Sequence, residues 1–248
     1  MKDIMMVMKI GVYGLGRFGA FWAKLLSQKF TVSGYSRNSS RETPKGVARV
    51  SEEEVLQTDV LFLCVSISAM DTVTKQIAPM LKKGCLVVDT CSVKVHPVMV
   101  MKENLPDTVD ILGTHPMFGP DSGSNGVSGL PLVFSPIRMS EEREKYWLSL
   151  FRDFYQLKVF EMTPDEHDKE AAYTQGITHF IGRVLADLKL QKSDIGTVGY
   201  NELLKIIEQT CNDPFQLFID LQKYNPHTFE MRRDLKTSIN RFLDILDT

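Results

Sequence analysis

The sequence predicts an α/β chain, a doubly wound and mostly parallel sheet followed by a smaller all-helical domain. Three observations carry this. An apolar run at residues 7–13 leads straight into Gly14-Leu15-Gly16-Arg17-Phe18-Gly19 and then a helical stretch at 20–26. Short apolar runs then alternate with helical stretches as far as Glu161, as consecutive β-α-β units do. Beyond Thr163-Pro164 no strand-like run remains, and apolar residues recur at three- and four-residue spacing. The boundary is placed near Glu161, giving domains at residues 1–161 and 162–248.

The first strand is interrupted only by Lys9, and Met5-Met6-Val7-Met8 reads as its core. Further strands are expected at residues 30–35, 60–65, 86–89 and 109–112, with helices at 69–81 and 95–103. Runs at 131–134 and 157–161 read as closing strands around a helix at 141–154. The second domain reads as helices at 165–188, 197–210, 214–224 and 228–246. Thr163 with Glu166 resembles a capping box, and Pro214 suits a first helical turn. Four such helices are too few for a large core of their own, so a homodimer through them is expected.

Hydrophobic residues at 43% and charged ones at 24% are ordinary for a folded globular chain. A formal net charge of -2 gives no nucleic-acid footprint, and no stretch has transmembrane length. The N-terminal Met1-Lys2-Asp3-Ile4 carries its acid too early for a secretory signal. Cys64, Cys85, Cys91 and Cys211 form neither a CxxC pair nor a disulfide framework, and they read as reduced thiols of a cytoplasmic protein. A zinc site from His96, His115 and the cysteines is excluded by spacing, so no metal is expected.

Placed between a first strand and a helix, the glycine loop has a task for each glycine. Gly14 permits the tight turn, Gly16 admits a pyrophosphate, and Gly19 lets helix and strand approach. The helix N-terminus then supplies N–H groups to the phosphates, making this a Rossmann-type dinucleotide site with Leu15, Arg17 and Phe18 in the loop. A ribose-binding acid belongs about 20 residues further on. Ser36 and Arg37 stand there, and no Asp or Glu comes before Glu42. Hydroxyls and a guanidinium accept a 2′-phosphate, so NADP is favoured, with NAD left open. Cys64 and Ser66, at the end of another strand, join the cofactor-binding set.

Ligands of such sheets bind beyond the carboxyl ends of the strands. The ends here are Gly14, the Val65-Ser66 loop, Asp89-Thr90-Cys91-Ser92 and a loop at Thr114-His115, which links Ser92 to His115. Pro116 biases His115 toward extended geometry, and Gly119-Pro120 turns the chain again directly afterwards. Few ordinary connections need so stiff a frame around one imidazole.

With Asp89-Thr90-Cys91-Ser92-Val93-Lys94, Thr114-His115-Pro116-Met117-Phe118-Gly119-Pro120-Asp121-Ser122-Gly123 and Glu166-His167-Asp168 beside the glycine loop, the chain resembles the prephenate/arogenate dehydrogenase family of tyrosine biosynthesis. The resemblance covers nearly the whole chain and is nearest in texture to plant-type arogenate dehydrogenases, through residues 126–132, 173–183 and 199–215. It implies oxidative decarboxylation of a cyclohexadienol, with His115 as acceptor or general base at the ring hydroxyl and Ser92 beside it. Relatives specific for prephenate often carry an arginine where this sequence has Gly199-Tyr200-Asn201-Glu202. In plant-type relatives an aspartate reads the arogenate ammonium, and Asp213 stands at that position, where it would also suit a helix cap. Gln175 and Thr197 resemble polar pocket residues, with surface and cap roles as the alternatives. His179, four residues from Arg183, joins them or supports the helix.

The resemblance thus implies NADP-dependent conversion of arogenate to tyrosine, with prephenate dehydrogenase giving 4-hydroxyphenylpyruvate as the alternative. A β-hydroxyacid-type dehydrogenase would want a lysine where the first long helix presents Gln175, His179 and Arg183. A non-catalytic NADP-binding module would have no use for Ser92 and His115.

Overall fold

Among strands buried on both faces, an unbroken apolar run is the expected sequence, and β1 (Lys9–Tyr13) is buried at every position after Lys9. The computed structural model describes residues 8–247; Met5, Met6 and Val7, read as first-strand core, lie outside the described residues. After β1 come α1 (Arg17–Leu26), β2 (Thr31–Tyr35), β3 (Val47–Arg49), α2 (Glu52–Val55), β4 (Val60–Leu63), α3 (Met70–Ile77), β5 (Leu86–Asp89), α4 (Val95–Asn104) and β6 (Asp110–Pro116). β7 (Pro131–Arg138), α5 (Glu141–Ser149) and β8 (Lys158–Glu161) complete one sheet in the order β3-β2-β1-β4-β5-β6-β7-β8. Every pair is parallel except β6 with β7.

Two elements are additional to the sequence reading. β3 is only three residues long and pairs Gly34 with Arg49. α2 follows a capping box in which Ser51 Oγ accepts from Glu54 N and Glu54 accepts from Ser51 N. That Ser-x-x-Glu signature was readable, although the helix it starts is a single turn. β6 corrects the reading further. The Thr114-His115 segment is strand rather than loop, because His115 pairs with Val133 and Pro116 with Leu132 across the antiparallel partner. Two runs that look short alone extend each other once paired.

The core on one sheet face is aromatic. Trp22 of α1 and Trp147 of α5 are fully buried against Phe62, with ring centroids 5.9 and 5.8 Å away. Phe151 lies 5.6 Å from Trp147, in the π-helical turn Leu150–Phe154 that ends α5. Ile10 and Val12 of β1 belong to the same cluster.

The chain divides after Pro164 into two compact units. The second is helical: α6 (Pro164–Ala171), α7 (Ile177–Asp187), α8 (Val198–Cys211), α9 (Phe215–Tyr224) and α10 (Thr228–Leu246). The long helix read at 165–188 is interrupted by a π-helical segment, Ala172–Gly176, joining α6 to α7. Within this unit Asp168 is buried, its carboxylate 2.7 Å from His167 Nδ1, and its carbonyl accepts from Asn225 Nδ2 at 2.7 Å. No helix among the described residues is long and apolar enough to cross a membrane.

α7 and α8 approach closely at one point. A Cβ on Gly182 would lie 2.2 Å from Thr210 Oγ1, whereas one on Gly199 of α8 would meet nothing within 4 Å. Gly182→Ala should therefore destabilise the helical unit by about 1–3 kcal/mol through overpacking, while Gly199→Ala should be neutral or stabilise by up to about 1 kcal/mol. Thermal unfolding of both variants checks the pair, and equal midpoints would contradict the close packing.

Candidate active site

The glycine loop is built by two close approaches and one open position. Gly14 has φ +108°, and its Cβ would stand 2.4 Å from the Cys64 carbonyl oxygen. A Cβ on Gly19 would stand 1.8 Å from the Gly14 carbonyl oxygen, so α1 can meet the end of β1 only without a side chain there. Gly16 is the opposite case, with no atom within 4 Å of its Cβ position. It is also the N-cap of α1 and supplies no side-chain hydrogen bond to the first turn. A helix N-terminus with uncapped N–H groups beside open space fits a dinucleotide pyrophosphate.

The other loop residues divide by role. Leu15 is buried and packs on Gly34, where a Cβ would be 2.9 Å from Leu15 Cδ2. The Phe18 ring stacks on Trp22 at 5.7 Å. The Leu15 side chain is thus spent on packing, while Phe18 is half-buried. Arg17 forms an ion pair with Asp121, which ties the segment after Gly119-Pro120 to the start of α1.

Ser36 and Arg37 follow β2 directly, at the same sheet edge as Gly14, whose N–H donates to the Tyr35 carbonyl at 2.8 Å. The structure also brings in an acid that lies too far along the chain to be counted with them. Glu52 Oε1 accepts from Tyr13 Oη and, at 3.0 Å, from Gln76 Nε2. Burial, assisted by this hydrogen bond, raises the Tyr13 phenol well above its ordinary value, with Arg37 acting in the opposite direction. A carboxylate is therefore near the end of β1, held by two protein donors. Ser66 stands at the N-cap position of the short turn Ile67–Ala69 without a side-chain capping bond, and burial pushes the Cys64 thiol up to about 12, so it stays neutral.

The carboxyl edge of the sheet is laced together by threonines. Thr90 Oγ1 donates to the Leu63 carbonyl at 3.0 Å, joining the loop after β5 to β4. Thr114 Oγ1 donates to the Asp89 carbonyl at 2.7 Å, joining β6 to β5. Asp89 Oδ1 accepts from Cys91 N at 2.9 Å and from Lys94 Nζ, and both side chains are fully buried. This pair, which the sequence reading passed over, closes the turn that carries Ser92. Asp89 of β5 is paired with Gly113 of β6; Ser92 stands three residues beyond Asp89, in the turn after β5, and His115 two beyond Gly113. The His115 ring is buried at 2% exposure. The same edge of the sheet thus holds the glycine loop, Ser92 and His115. Cys91 is buried with its thiol pushed upward by desolvation, which suits packing rather than nucleophilic chemistry.

In the helical unit, Gln175, His179 and Arg183 follow one another at four-residue spacing. Gln175 Oε1, His179 Nδ1 and Arg183 Nε are all buried without a hydrogen-bond partner among the described residues. Burial depresses the His179 pKa below 6.5, with the Asp213 carboxylate opposing, so the imidazole is neutral at pH 7. Asp213 Oδ2 lies 3.9 Å from His179 Nε2. Arg183 fixes that arrangement, donating to the Thr210 and Asp213 carbonyls at 3.0 and 2.7 Å. The N-cap of α9 is Pro214 rather than Asp213. Thr197 is the exposed N-cap of α8, its hydroxyl accepting from Tyr200 N at 3.2 Å. No cluster of potential metal ligands occurs among the described residues.

The buried Asp89–Lys94 pair makes a stability prediction. Lys94→Met should cost about 3–5 kcal/mol, because it strips the ammonium from a carboxylate held out of water. Asp89→Asn together with Lys94→Met should recover a substantial part, as read by denaturant unfolding. A single variant as stable as the parent would show the pair to be dispensable.

Comparison with known proteins matches residues 23–134 to "Prephenate dehydrogenase, nucleotide-binding domain" and residues 184–247 to "TYRAAT1-like, C-terminal domain". The chain is 40% identical over 234 residues to arogenate dehydrogenase 1, chloroplastic, of Arabidopsis thaliana, covering 90% of this chain and 37% of that protein. It is 36% identical over 235 residues to arogenate dehydrogenase 2, chloroplastic, of the same plant, covering 90% of this chain and 65% of that protein. It therefore spans less than two thirds of either relative. The fold matches the crystal structure of prephenate dehydrogenase from A. aeolicus in complex with hydroxyphenyl propionate and NAD+, with a TM-score of 0.76 at 17% identity, covering 98% of this chain and 92% of that one. The glycine loop, a buried histidine at the same sheet edge and these matches agree: the chain is similar over most of its length to the prephenate/arogenate dehydrogenases, and its residues 23–134 match their nucleotide-binding domain.

Proposed function

We propose that the chain carries out NADP-dependent oxidative decarboxylation of arogenate to tyrosine. The observation that carries the substrate choice is the polar cluster of the helical unit, where the Asp213 carboxylate stands beside a neutral His179. Arogenate has an ammonium where prephenate has a keto group, and a carboxylate discriminates for it by charge. The buried Gln175 Oε1 is a second acceptor, and a buried acceptor without a partner costs about 1–3 kcal/mol that a ligand donor would recover. No arginine stands in Gly199-Tyr200-Asn201-Glu202 to favour the keto acid. That both Arabidopsis relatives are named arogenate dehydrogenases supports the same reading. Thr197 contributes by holding the start of α8.

Ser36 and Arg37 favour NADP over NAD. Among the described residues neither side chain of this pair has a hydrogen-bond or ion-pair partner, and the nearby Glu52 is engaged by Tyr13 and Gln76. A phosphate meets hydroxyl and guanidinium donors there.

When bound, the nicotinamide supplies the acceptor for the hydride that leaves the hydroxyl-bearing ring carbon. The α1 N-terminus holds the phosphates. His115 accepts the proton of the ring hydroxyl as the carbonyl develops, a role for a neutral imidazole in a dry setting. Ser92 hydrogen-bonds the same oxygen. As CO2 leaves, the electrons of its bond to the ring make the ring aromatic and the ring oxygen takes back the proton held by His115, so the protein has only to align the substrate and hold one proton in transit.

The reading extends to a homodimer through the helical unit. Ile239, Phe242, Leu243 and Leu246 of α10 are all exposed, at the spacing of one helix face. Such a stripe calls for a partner surface.

Steady-state kinetics with arogenate and prephenate, each with NADP+ and NAD+, test the proposal; arogenate with NADP+ should give the highest kcat/KM. Asp213→Asn should lower the arogenate-to-prephenate preference by about two orders of magnitude, and an unchanged ratio would remove Asp213 from substrate recognition. His115→Ala should lower kcat by about 10²–10⁴-fold with NADP+ affinity kept within about twofold. Loss of cofactor binding instead would mean that His115 serves the nucleotide.

A further inference from the structure

Resting on the NADP reading above, we infer that Arg49 is a positioning residue for cofactor choice, holding the backbone of the 2′-phosphate loop in its reading shape. Arg49 is the last residue of β3, opposite Gly34 of β2. Its Nη1 donates to the Arg41 carbonyl at 2.7 Å, and its Nη2 to the Ser36 and Asn38 carbonyls at 3.0 and 3.1 Å. One planar fork thus ties the entry, middle and exit of a six-residue loop.

A second closure lies inside the loop. Asn38 Oδ1 accepts from Ser40 N at 2.9 Å and Ser40 Oγ at 2.7 Å, and Arg41 N donates to the Asn38 carbonyl at 3.2 Å. The internal hydrogen bonds therefore consume Asn38, Ser40 and three carbonyls. What remains without a hydrogen-bond or ion-pair partner among the described residues is the side chains of Ser36, Arg37, Ser39 and Arg41, two hydroxyls and two guanidiniums. Those are the groups a phosphate monoester takes, and the carbonyl oxygens that would repel it are held on Arg49.

The energetic consequence is preorganisation. A loop already in shape is not ordered at the expense of ligand affinity. The fork matters more than the charge, because a lysine ammonium is a compact donor that cannot span three carbonyls in the same way. It also gives the three-residue β3 a purpose, since pairing with β2 sets Arg49 beneath the loop's two arms. Arg49 lies far from the glycines in sequence, so no motif marks it.

Calorimetric titration of the intact chain with 2′,5′-ADP and with 5′-AMP tests this without turnover. The parent should prefer 2′,5′-ADP. Arg49→Met and Arg49→Lys should each weaken 2′,5′-ADP by about tenfold while leaving 5′-AMP within about twofold, the latter confirming that the fold is intact. Retention of the parent preference in Arg49→Met would overturn the inference. Full affinity in Arg49→Lys alone would overturn it too, showing a direct charge contact in place of a clamp. If the parent itself binds both nucleotides equally, the NADP reading fails and this inference with it.

Discussion

The approach of α1 to the ends of β1 and β4 is the constraint on which the N-terminal unit depends. Two Cβ-free positions make it possible, since Gly19 sits against the Gly14 carbonyl and Gly14 against that of Cys64. With the helix that close, Trp22 reaches the sheet face and becomes the hub of the aromatic cluster with Phe62 and Phe151. The same approach leaves the α1 N-terminus uncapped beside the space above Gly16. Core packing and an uncapped helix N-terminus facing open space are therefore two consequences of one contact.

Around that contact, the carboxyl edge of the sheet is stiffened by polar groups that reach from one strand to the next. Thr90 holds the loop after β5 to β4, and Thr114 holds β6 to the Asp89 carbonyl. The fully buried Lys94–Asp89 pair closes the turn between them. Burying two charges is expensive, and such pairs are retained where geometry matters more than raw stability. Here the geometry is that of the Ser92 turn. The arrangement follows a general rule, that a site is only as well aimed as the residues supporting it.

The helical unit uses a different device. Its four-residue repeat of Gln175, His179 and Arg183 brings polar atoms into a buried strip, and three of those atoms lack partners among the described residues. Native interiors seldom leave such atoms unsatisfied, and where they do a functional reason is the first to consider. Arg183 is anchored by its Nη2 to the Thr210 and Asp213 carbonyls and stacks over Phe215 at 5.5 Å. It is thus a scaffold for the acid rather than a free cation.

Local pattern alone determined most of the elements and the nucleotide loop. Period-two and period-3.6 signals act within a few residues, and the three glycines are required by backbone geometry at fixed offsets. Ser92 was legible as a residue just beyond a strand end for the same reason. Tertiary structure decided the rest. His115 is held within β6 because a strand some twenty residues later pairs with it, a fact no local window contains. Lys94 and Arg49 look like ordinary surface cations until the fold buries one against Asp89 and folds a loop around the other. Glu52 reached the end of β1 from a single-turn helix whose capping box is legible in the sequence but whose neighbours are not. Each of these depends on contacts between residues distant along the chain, and sequence periodicity carries no record of which distant residue will be the neighbour.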